Sequence, residues 1–190
     1  MEKSKTNSID DYLNRFTMIV GDVNSGKTAL TQKILVDFCN FFEGRVTVVD
    51  LAPDIDRSDQ AGKDLRHAVG GRLHVPGSGN VDYYHAWINA PRLIARDEKH
   101  AEPLAAKNKN TIEVLFEKAL RKKTDALFVN DCSLYLHAGS PVQFLEWIHS
   151  FKTAVVNGYF GGFFGESSIS TRERAGMEYL IHHCDRLIRK

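Results

Sequence analysis

Residues 21–28 combine, in eight consecutive positions, the residue types that bind phosphate. Their sequence, GDVNSGKT, has the spacing G-x-x-x-x-G-K-[ST]. Gly21 and Gly26 allow the backbone to turn so that successive N–H groups point into one concavity, which favours an anion. Lys27 supplies a positive charge for terminal phosphates, and the Thr28 hydroxyl is placed to bind Mg²⁺. The predicted ligand-binding residues are Gly21, Asp22, Val23, Asn24, Ser25, Gly26, Lys27 and Thr28.

The position of this segment in the chain supports the same prediction. The apolar run 16–20 predicts a buried strand before it, and the pattern from 27 to about 42 predicts an amphipathic helix after it. Such a helix presents its positive amino-terminal end to the same anion. In this setting residues 21–28, hereafter the P-loop, resemble the P-loop NTPase superfamily. The resemblance implies a nucleoside triphosphate, Mg²⁺, and hydrolysis or transfer of the terminal phosphoryl group, with Lys27 in a catalytic role.

Members of that superfamily also carry a carboxylate at the end of a buried strand, where it holds magnesium or its water. Asp131, which follows the run ALFVN, resembles that residue. Asp50, within VTVVDLAPD, is a second candidate at an equivalent strand end. A helix cap or a surface turn is the alternative for each. The predicted magnesium ligands are therefore Thr28, Asp131 and Asp50.

A cluster of acids follows the second predicted strand, which is expected to neighbour the P-loop strand. Asp50, Asp54 and Asp56 lie within seven residues. A carboxylate there would position attacking water or deprotonate an acceptor hydroxyl, so Asp50, Asp54 and Asp131 are candidate catalytic residues. The run resembles the acidic segment of the class that includes signal-recognition GTPases, partition-type ATPases and polynucleotide kinases. Partition-type loops carry a lysine where this chain has Asp22, and a solvated acidic turn is the alternative.

The sequence favours adenine over guanine. Common GTPases carry N-K-x-D after a late strand, but the Asn-Lys pair of this chain, at 108–109, lacks the aspartate. The predicted strand 153–156 is followed by Asn157, which resembles ATPases in which an amide contacts adenine. A turn residue before Gly158 is the alternative. We therefore predict ATP as substrate, with GTP as the second choice, and Asn157 as a binding residue.

Two further segments each allow more than one interpretation. Residues 81–100 combine aromatic and basic side chains, which is typical of a lid or an acceptor pocket, or of a helix that packs its aromatics inward. Residues 159–174 are rich in glycine and aromatic residues and include Arg172 and Arg174. These arginines are either lid residues for a terminal phosphate or solvated, and the aromatics are candidates for a partner surface.

The charge and hydropathy of the chain bear on which kinds of molecule it is expected to bind. The chain has 25 Lys and Arg against 24 Asp and Glu, so a net charge of +1 gives no electrostatic argument for nucleic acid or an anionic membrane. It contains no run of about 18 apolar residues, and its first fifteen residues lack the apolar core of a secretory signal. Cys39, Cys132 and Cys184 have no zinc-type spacing and are expected to be reduced thiols. We predict a cytoplasmic protein that binds a nucleoside triphosphate, with a protein partner or self-association left open.

Alternating strands and helices predict an α/β fold, with three α/β/α layers around a mainly parallel sheet of five or six strands. The predicted strands are 16–20, 45–51, 72–75, 126–129, 153–156 and 186–189. The predicted helices are 27–42, one capped by Thr111, one that begins at Pro141, and 171–183. Residues 1–14 are expected to form a polar arm, and 15–190 a single P-loop domain with an irregular insertion at 76–110. In such sheets a ligand lies beyond the carboxyl ends of the strands.

Three functions fit these residues. The first is a Mg²⁺-dependent ATPase that hydrolyses the β–γ bond, and the second is a kinase for a small molecule or a nucleic-acid end. The third is a GTPase-type switch or a non-catalytic nucleotide-binding module. Intact Lys27 and Thr28 with candidate carboxylates argue against a non-catalytic module. A kinase needs an acceptor pocket, and no acceptor motif is evident at 76–110, so hydrolysis is ranked first.

Overall fold

A parallel sheet of six strands forms the centre of the computed structural model, which describes residues 9–54, 70–77 and 80–190. The strands are β1 (Phe16–Gly21), β2 (Val46–Asp50), β3 (Val81–His85), β4 (Ala126–Asn130), β5 (Thr153–Tyr159) and β6 (Arg186–Arg189). Their order is β3-β2-β4-β5-β1-β6, and every neighbouring pair is parallel. The predicted α/β class with a parallel sheet is confirmed.

Helices connect these strands. They are α1 (Lys27–Phe41), α2 (Pro91–Ile94), α3 (Glu98–Leu120), α4 (Ser133–Leu136), α5 (Pro141–His149) and α6 (Ser168–His183). Serine side chains cap two of them at the amino end, because Ser140 accepts from the N–H of Gln143 and Ser167 from that of Ser170. Pro141 stands at the first position of α5, where its missing N–H costs no helical hydrogen bond.

The sheet is buried on both faces, because successive strand residues point to opposite sides. Met18 and Val129 belong to one apolar cluster, which packs against α3, α5 and α6. Ile19 and Phe128 belong to a second cluster, which packs against α1. These two cores on either side of one sheet give the three predicted layers.

Two elements differ from the prediction. Residues 72–75 are not a strand, and the edge strand beside β2 is instead β3, within the stretch predicted to be irregular. Its residues are only partly buried and mix polar with aromatic types, so they lack the apolar run of a central strand. Helix α3 is capped by Asp97, whose side chain accepts from the N–H of His100, so Thr111 lies inside the helix. Pro103 also lies inside α3, in a part of the helix where Ala101 and Ala105 are buried.

The strand order corrects one expectation about the acidic run. Strands β4 and β5 lie between β2 and β1, so the prediction that the run follows a neighbour of the P-loop strand is wrong. The resemblance of the acidic run to the class that includes signal-recognition GTPases stays a prediction. Asp56 and residues 1–8 lie outside the described residues. The described part of the predicted arm begins at Ile9, which is 3% exposed and packs beside α1.

Candidate functional site

The P-loop joins β1 to α1 at the carboxyl edge of the sheet. Asn24 and Gly26 have φ angles of 57° and 87°, in the left-handed region that glycine adopts most readily. The Lys27 ammonium donates to the carbonyl oxygen of Asp22 at 2.6 Å. The side chain therefore folds back over the P-loop, and its positive charge lies next to the loop backbone. Burial lowers the pKa of Lys27, and the negative charges of Asp131 and Asp22 oppose this shift. The loop therefore holds a partly buried cation that an anion can pair with.

A cleft of about 280 Å³ opens against the P-loop. Residues 23–29 and Asp131 are among the residues that line it. The lining also includes Arg92, His137, Tyr159 and Phe164, which come from different elements. Lys27, Thr28 and Asp131, which the sequence predicted to act together, thus line one cleft.

Asp131 follows β4 with a φ of 60°, which is uncommon for a residue other than glycine. Its N–H donates to Asn157 Oδ1 at 2.9 Å, and its Oδ1 accepts from the Ser133 hydroxyl at 2.7 Å. Burial raises the pKa of Asp131, while the Ser133 hydrogen bond and the charge of Lys27 act in the opposite direction. A carboxylate and the Thr28 hydroxyl in one cleft are oxygen ligands of the kind that suit Mg²⁺.

Asp50 is placed differently from Asp131. It is 1% exposed, and both carboxylate oxygens are taken by hydrogen-bond donors. The donors are the N–H of Ala52 at 3.1 Å, the N–H of Leu73 at 2.7 Å, the Tyr83 hydroxyl at 2.8 Å and the Asn130 amide at 2.8 Å. Asp50 is not one of the described residues that line the cleft. Its predicted catalytic and magnesium-binding roles are therefore not supported by its position.

Asn130 connects Asp50 to the P-loop. Its Oδ1 accepts from the Asn157 amide at 2.9 Å and, over a longer distance of 3.5 Å, from the Thr28 hydroxyl. Its Nδ2 donates to Asp50. Asp50 therefore reaches the candidate magnesium ligand Thr28 only through another side chain.

Asp54 lies beside Arg72 rather than in the cleft. The two side chains form an ion pair, and the second Asp54 oxygen accepts from the N–H of Ile88 at 3.2 Å. Arg72 also contacts His85 Nδ1 at 3.0 Å. These contacts tie the segment after β2 to the segments around β3.

Asn157 lies within β5. The sequence predicted instead that the strand ends at 156 and that Asn157 follows it. It is 1% exposed, its Oδ1 accepts from Asp131, and its Nδ2 donates to Thr31 at 2.8 Å and to Asn130. Its polar atoms thus link β4, β5 and α1 beneath the P-loop. Asn157 also lines the cleft, and its contact with adenine stays a prediction.

A buried cluster of ionisable side chains beside the cleft was missed by sequence reasoning. Glu173 Oε2 forms an ion pair with Arg92 Nη1 at 2.6 Å and lies 2.8 Å from His137 Nε2. The rings of Phe164 and Tyr159 pack on the Arg92 guanidinium, with centroid distances of 3.8 and 4.8 Å. These residues come from α2, from the end of α4 and from α6, so no spacing in the sequence signals the cluster.

The arginines that the sequence singled out lie elsewhere. Arg172 pairs with Glu102 at 2.6 Å, and Arg174 donates to the carbonyl oxygen of Gly161 at 2.9 Å. Neither is among the described residues that line the cleft. Arg92, from the segment 81–100, does line it.

Asp22 attaches the loop after β5 to the P-loop. Its carboxylate accepts from the N–H of Val23 at 2.7 Å and from that of Gly162 at 3.1 Å. The backbone of Gly161 packs so closely on this carboxyl group that an added Cβ would overlap with it. Backbone hydrogen bonds, first that of Val23, hold the pKa of Asp22 below its usual range.

Asp22→Ala is expected to release this loop. Hydrogen exchange at the Gly162 amide should accelerate about tenfold, since a hydrogen bond to a charged group contributes about 1.5 kcal/mol. The Phe160 amide, which donates to the Gly21 carbonyl oxygen at 2.9 Å, provides the internal control and should be unaffected. Because the pKa of Asp22 is lowered, the wild-type loop should keep this contact above the usual aspartate pKa and lose it as the pH falls through the lowered value. Unchanged exchange at Gly162 would contradict the attachment.

No helix within residues 9–54, 70–77 and 80–190 combines the length and apolar character needed to span a bilayer. The same ranges hold no group of three His, Cys, Asp or Glu side chains arranged for a metal. A magnesium ion between phosphates, Thr28 and Asp131 does not require such a group, because Mg²⁺ is usually bound through one or two carboxylates and substrate phosphates.

The structure places the predicted phosphate-binding loop between β1 and α1 of an all-parallel sheet. Two solved structures are similar to the chain at low sequence identity. The flagellar accessory protein FlaH from Methanocaldococcus jannaschii is 15% identical, with a TM-score of 0.48, and the match covers 94% of this chain and 71% of that one. An ATPase from the type III secretion system of pathogenic bacteria is 12% identical, with a TM-score of 0.41, over 86% of this chain and 49% of that one. No protein-family model and no curated protein sequence matches the chain.

Proposed function

We propose that the chain is a Mg²⁺-dependent ATPase that hydrolyses the bond between the β- and γ-phosphates. The observation that carries the proposal is the placement of Lys27, Thr28 and Asp131 around one cleft. A cation, a hydroxyl and a carboxylate in this arrangement match the needs of a nucleotide's terminal phosphates with their magnesium ion. ATP is favoured over GTP because the chain lacks the N-K-x-D sequence that reads guanine.

Each residue has a distinct role in the proposal. The N–H groups of the P-loop and the amino end of α1 bind the phosphate oxygens. Lys27 exchanges its contact with the Asp22 carbonyl for the β- and γ-phosphates and stabilises charge as the γ-phosphoryl group transfers. Thr28 binds Mg²⁺, and Asp131 binds the ion or one of its waters. The ion itself supplies charge neutralisation on the phosphates.

A kinase is the second candidate, because a second cavity adjoins the first. This cavity of about 260 Å³ shares Arg92, Tyr159 and Phe164 with the P-loop cleft. It also includes the hydroxyls of Ser170 and Thr171. Aromatic rings, hydroxyls and an arginine could hold a phosphate acceptor. The sequence placed an acceptor pocket at 76–110, and only Arg92 of the residues named here belongs to that stretch.

Turnover of γ-labelled ATP and GTP separates the candidates. We expect Mg²⁺-dependent release of labelled inorganic phosphate from ATP, in the presence or absence of small hydroxyl compounds and nucleic-acid ends. Label found on an acceptor would instead identify a kinase, faster use of GTP would identify a GTPase, and binding without release would identify a non-catalytic module.

Asp131→Asn should reduce turnover about 10- to 100-fold, in the range found when groups that orient a metal are removed. The matched control is Asp11→Asn, since Asp11 is 77% exposed and lies outside the cleft. Equal turnover by the two variants would remove Asp131 from the proposed site.

A further inference from the structure

Residues 70–75, hereafter the 70–75 segment, pass beside the P-loop, and two glycines of this segment line the cleft. Gly70 and Gly71 are both exposed, and they line the cleft of about 280 Å³ together with Lys27 and Thr28. The proposed function assigns no role to either glycine. Because they share the cleft with the candidate magnesium ligand Thr28, they are candidates for influencing how a metal ion binds there.

Contacts with three different parts of the fold fix the course of the 70–75 segment. The Gly71 carbonyl oxygen accepts from Nδ2 of Asn130, the last residue of β4, at 3.0 Å. The Gln32 side chain of α1 donates to the carbonyl oxygen of His74 at 2.8 Å and accepts from its N–H at 2.7 Å. Leu73 is 3% exposed and belongs to the apolar cluster beside α1. The segment is therefore held against the sheet and α1, which limits how far it can move away from the P-loop.

Gly70 lies close to the Thr28 hydroxyl. A Cβ atom added at Gly70 would lie 3.3 Å from Thr28 Oγ1, which is a tighter contact than most Cβ atoms make. A Cβ atom added at the next residue, Gly71, would have no atom within 4 Å other than those of its own chain neighbours, among the residues that the structure describes. A methyl group at position 70 would thus press on the candidate metal ligand, whereas one at position 71 would not.

The backbone conformation does not explain why position 70 is a glycine. Neither Gly70 nor Gly71 has a φ angle in the left-handed region, which among the described glycines only Gly26 adopts. Alanine is therefore compatible with the backbone at both positions. What the missing side chain of Gly70 provides is space beside the Thr28 hydroxyl.

A bound magnesium ion needs such space. Mg²⁺ holds its ligands in a nearly ideal octahedron at about 2.0–2.1 Å and usually keeps several waters. If Thr28 Oγ1 is one of these ligands, the adjacent ligands of the octahedron lie about 3 Å from it. A methyl group that contacts the same oxygen at 3.3 Å would compete with one of these ligands for space.

We propose that Gly70 is a specificity-determining residue of the magnesium site, an inference that rests on the proposed function. Its lack of a side chain leaves room beside Thr28 for the ion and the waters that the ion keeps. The N–H groups of the P-loop bind the phosphates without help from Gly70. A side chain at position 70 should therefore weaken the part of nucleotide affinity that depends on the metal and leave the other part unchanged.

Calorimetry with Mg-ADP, and separately with ADP in excess EDTA, distinguishes the two parts. Gly70→Ala should raise the Kd for Mg-ADP about tenfold, the lower end of the loss found when residues around metal ligands are changed, and should alter the Kd for metal-free ADP less than about twofold. Gly71→Ala is the matched control, because its added methyl group contacts nothing outside its chain neighbours in the described part of the chain. It should leave both dissociation constants unchanged.

A measurement on the wild-type protein keeps the test independent of how well the variants fold. When Mn²⁺ replaces Mg²⁺ in the ADP complex, the paramagnetic ion broadens the NMR resonances of nearby amides. The Gly70 amide should broaden strongly. The amide of Gly44, which lies before β2 at the opposite edge of the sheet, should keep its line width.

The outcomes are separable. The role of Gly70 is overturned, with the ATPase proposal intact, if Gly70→Ala loses no affinity or loses it equally with and without metal. An equal loss in Gly71→Ala, a wild-type protein that binds ADP equally well in Mg²⁺ and in EDTA, or a Gly70 amide that Mn²⁺ does not broaden has the same meaning. A wild-type protein that binds no Mg-ADP overturns both proposals. A loss in Gly70→Ala that is confined to Mg-ADP, together with broadening of the Gly70 amide, supports the role.

Discussion

Lys27→Ala is expected to lose Mg-ATP binding. Lys27 is the one cation contributed by the P-loop, and its ammonium lies across the loop on the Asp22 carbonyl oxygen. Removing one member of a buried charge pair costs about 2–5 kcal/mol, which corresponds to an increase in Kd of about 30-fold or more. Isothermal titration calorimetry with Mg-ATP measures the change directly.

The same variant should fold as well as the wild-type protein. Burial lowers the pKa of Lys27, which shows that the folded chain disfavours its charge in the absence of an anion. Lys33→Ala is the matched control, since Lys33 is an exposed lysine on the same helix, α1, and its loss should leave Kd unchanged. Undiminished binding by a folded Lys27→Ala protein would remove the basis for a nucleotide at this loop.

Asp50→Ala is expected to destabilise the fold by about 3–5 kcal/mol. The substitution leaves four donors without their acceptor: the N–H groups of Ala52 and Leu73, the Tyr83 hydroxyl and the Asn130 amide. Since Asp50 is 1% exposed, water cannot replace the lost contacts without opening the structure. Urea denaturation followed by circular dichroism gives the change in the free energy of unfolding.

Asp82→Ala provides the comparison. Asp82 lies on β3 next to β2, but its partners, Arg45 and Lys122, have side chains that are about half exposed, at 54% and 53%. Exposed ion pairs contribute little to stability because solvent screens them, so this variant should be close to wild type in stability. If Asp50→Ala were equally stable but lost turnover, the catalytic role predicted from the sequence would be favoured over the structural one seen here.

The sequence predicted those parts of the molecule that depend on local patterns. The P-loop lies between β1 and α1 because an apolar run, two glycines and a helical pattern follow one another within the chain. The prediction of Asp131 as a site residue rests on its position after a strongly apolar strand. Strand β3 was missed because an edge strand needs no apolar run, and the start of α3 was missed because proline is usually a helix breaker.

Relations between distant segments could not be predicted in this way. Asp50 is the last residue of β2 and Asp131 follows β4, so both lie at the ends of buried strands and their sequences look equivalent. The difference between them comes from Leu73 and Tyr83, which belong to other segments and donate hydrogen bonds to the Asp50 carboxylate. Likewise, His137 and Glu173 meet only because α4 packs against α6. The roles of the P-loop residues and of Asp131 remain predictions that the variants above test.

The two hydrogen bonds that Asn130 Oδ1 accepts differ in strength, and this difference affects how easily Thr28 could coordinate a magnesium ion. The bond from Asn157 is 2.9 Å long, whereas that from the Thr28 hydroxyl is 3.5 Å and correspondingly weak. If Thr28 turned its oxygen to a metal ion, Asn130 would keep its shorter bond and no buried oxygen would be left unpaired. The Thr28 hydroxyl is thus only weakly bound to Asn130. Its coordination to a metal ion would require little rearrangement of the hydrogen bonds beneath the P-loop.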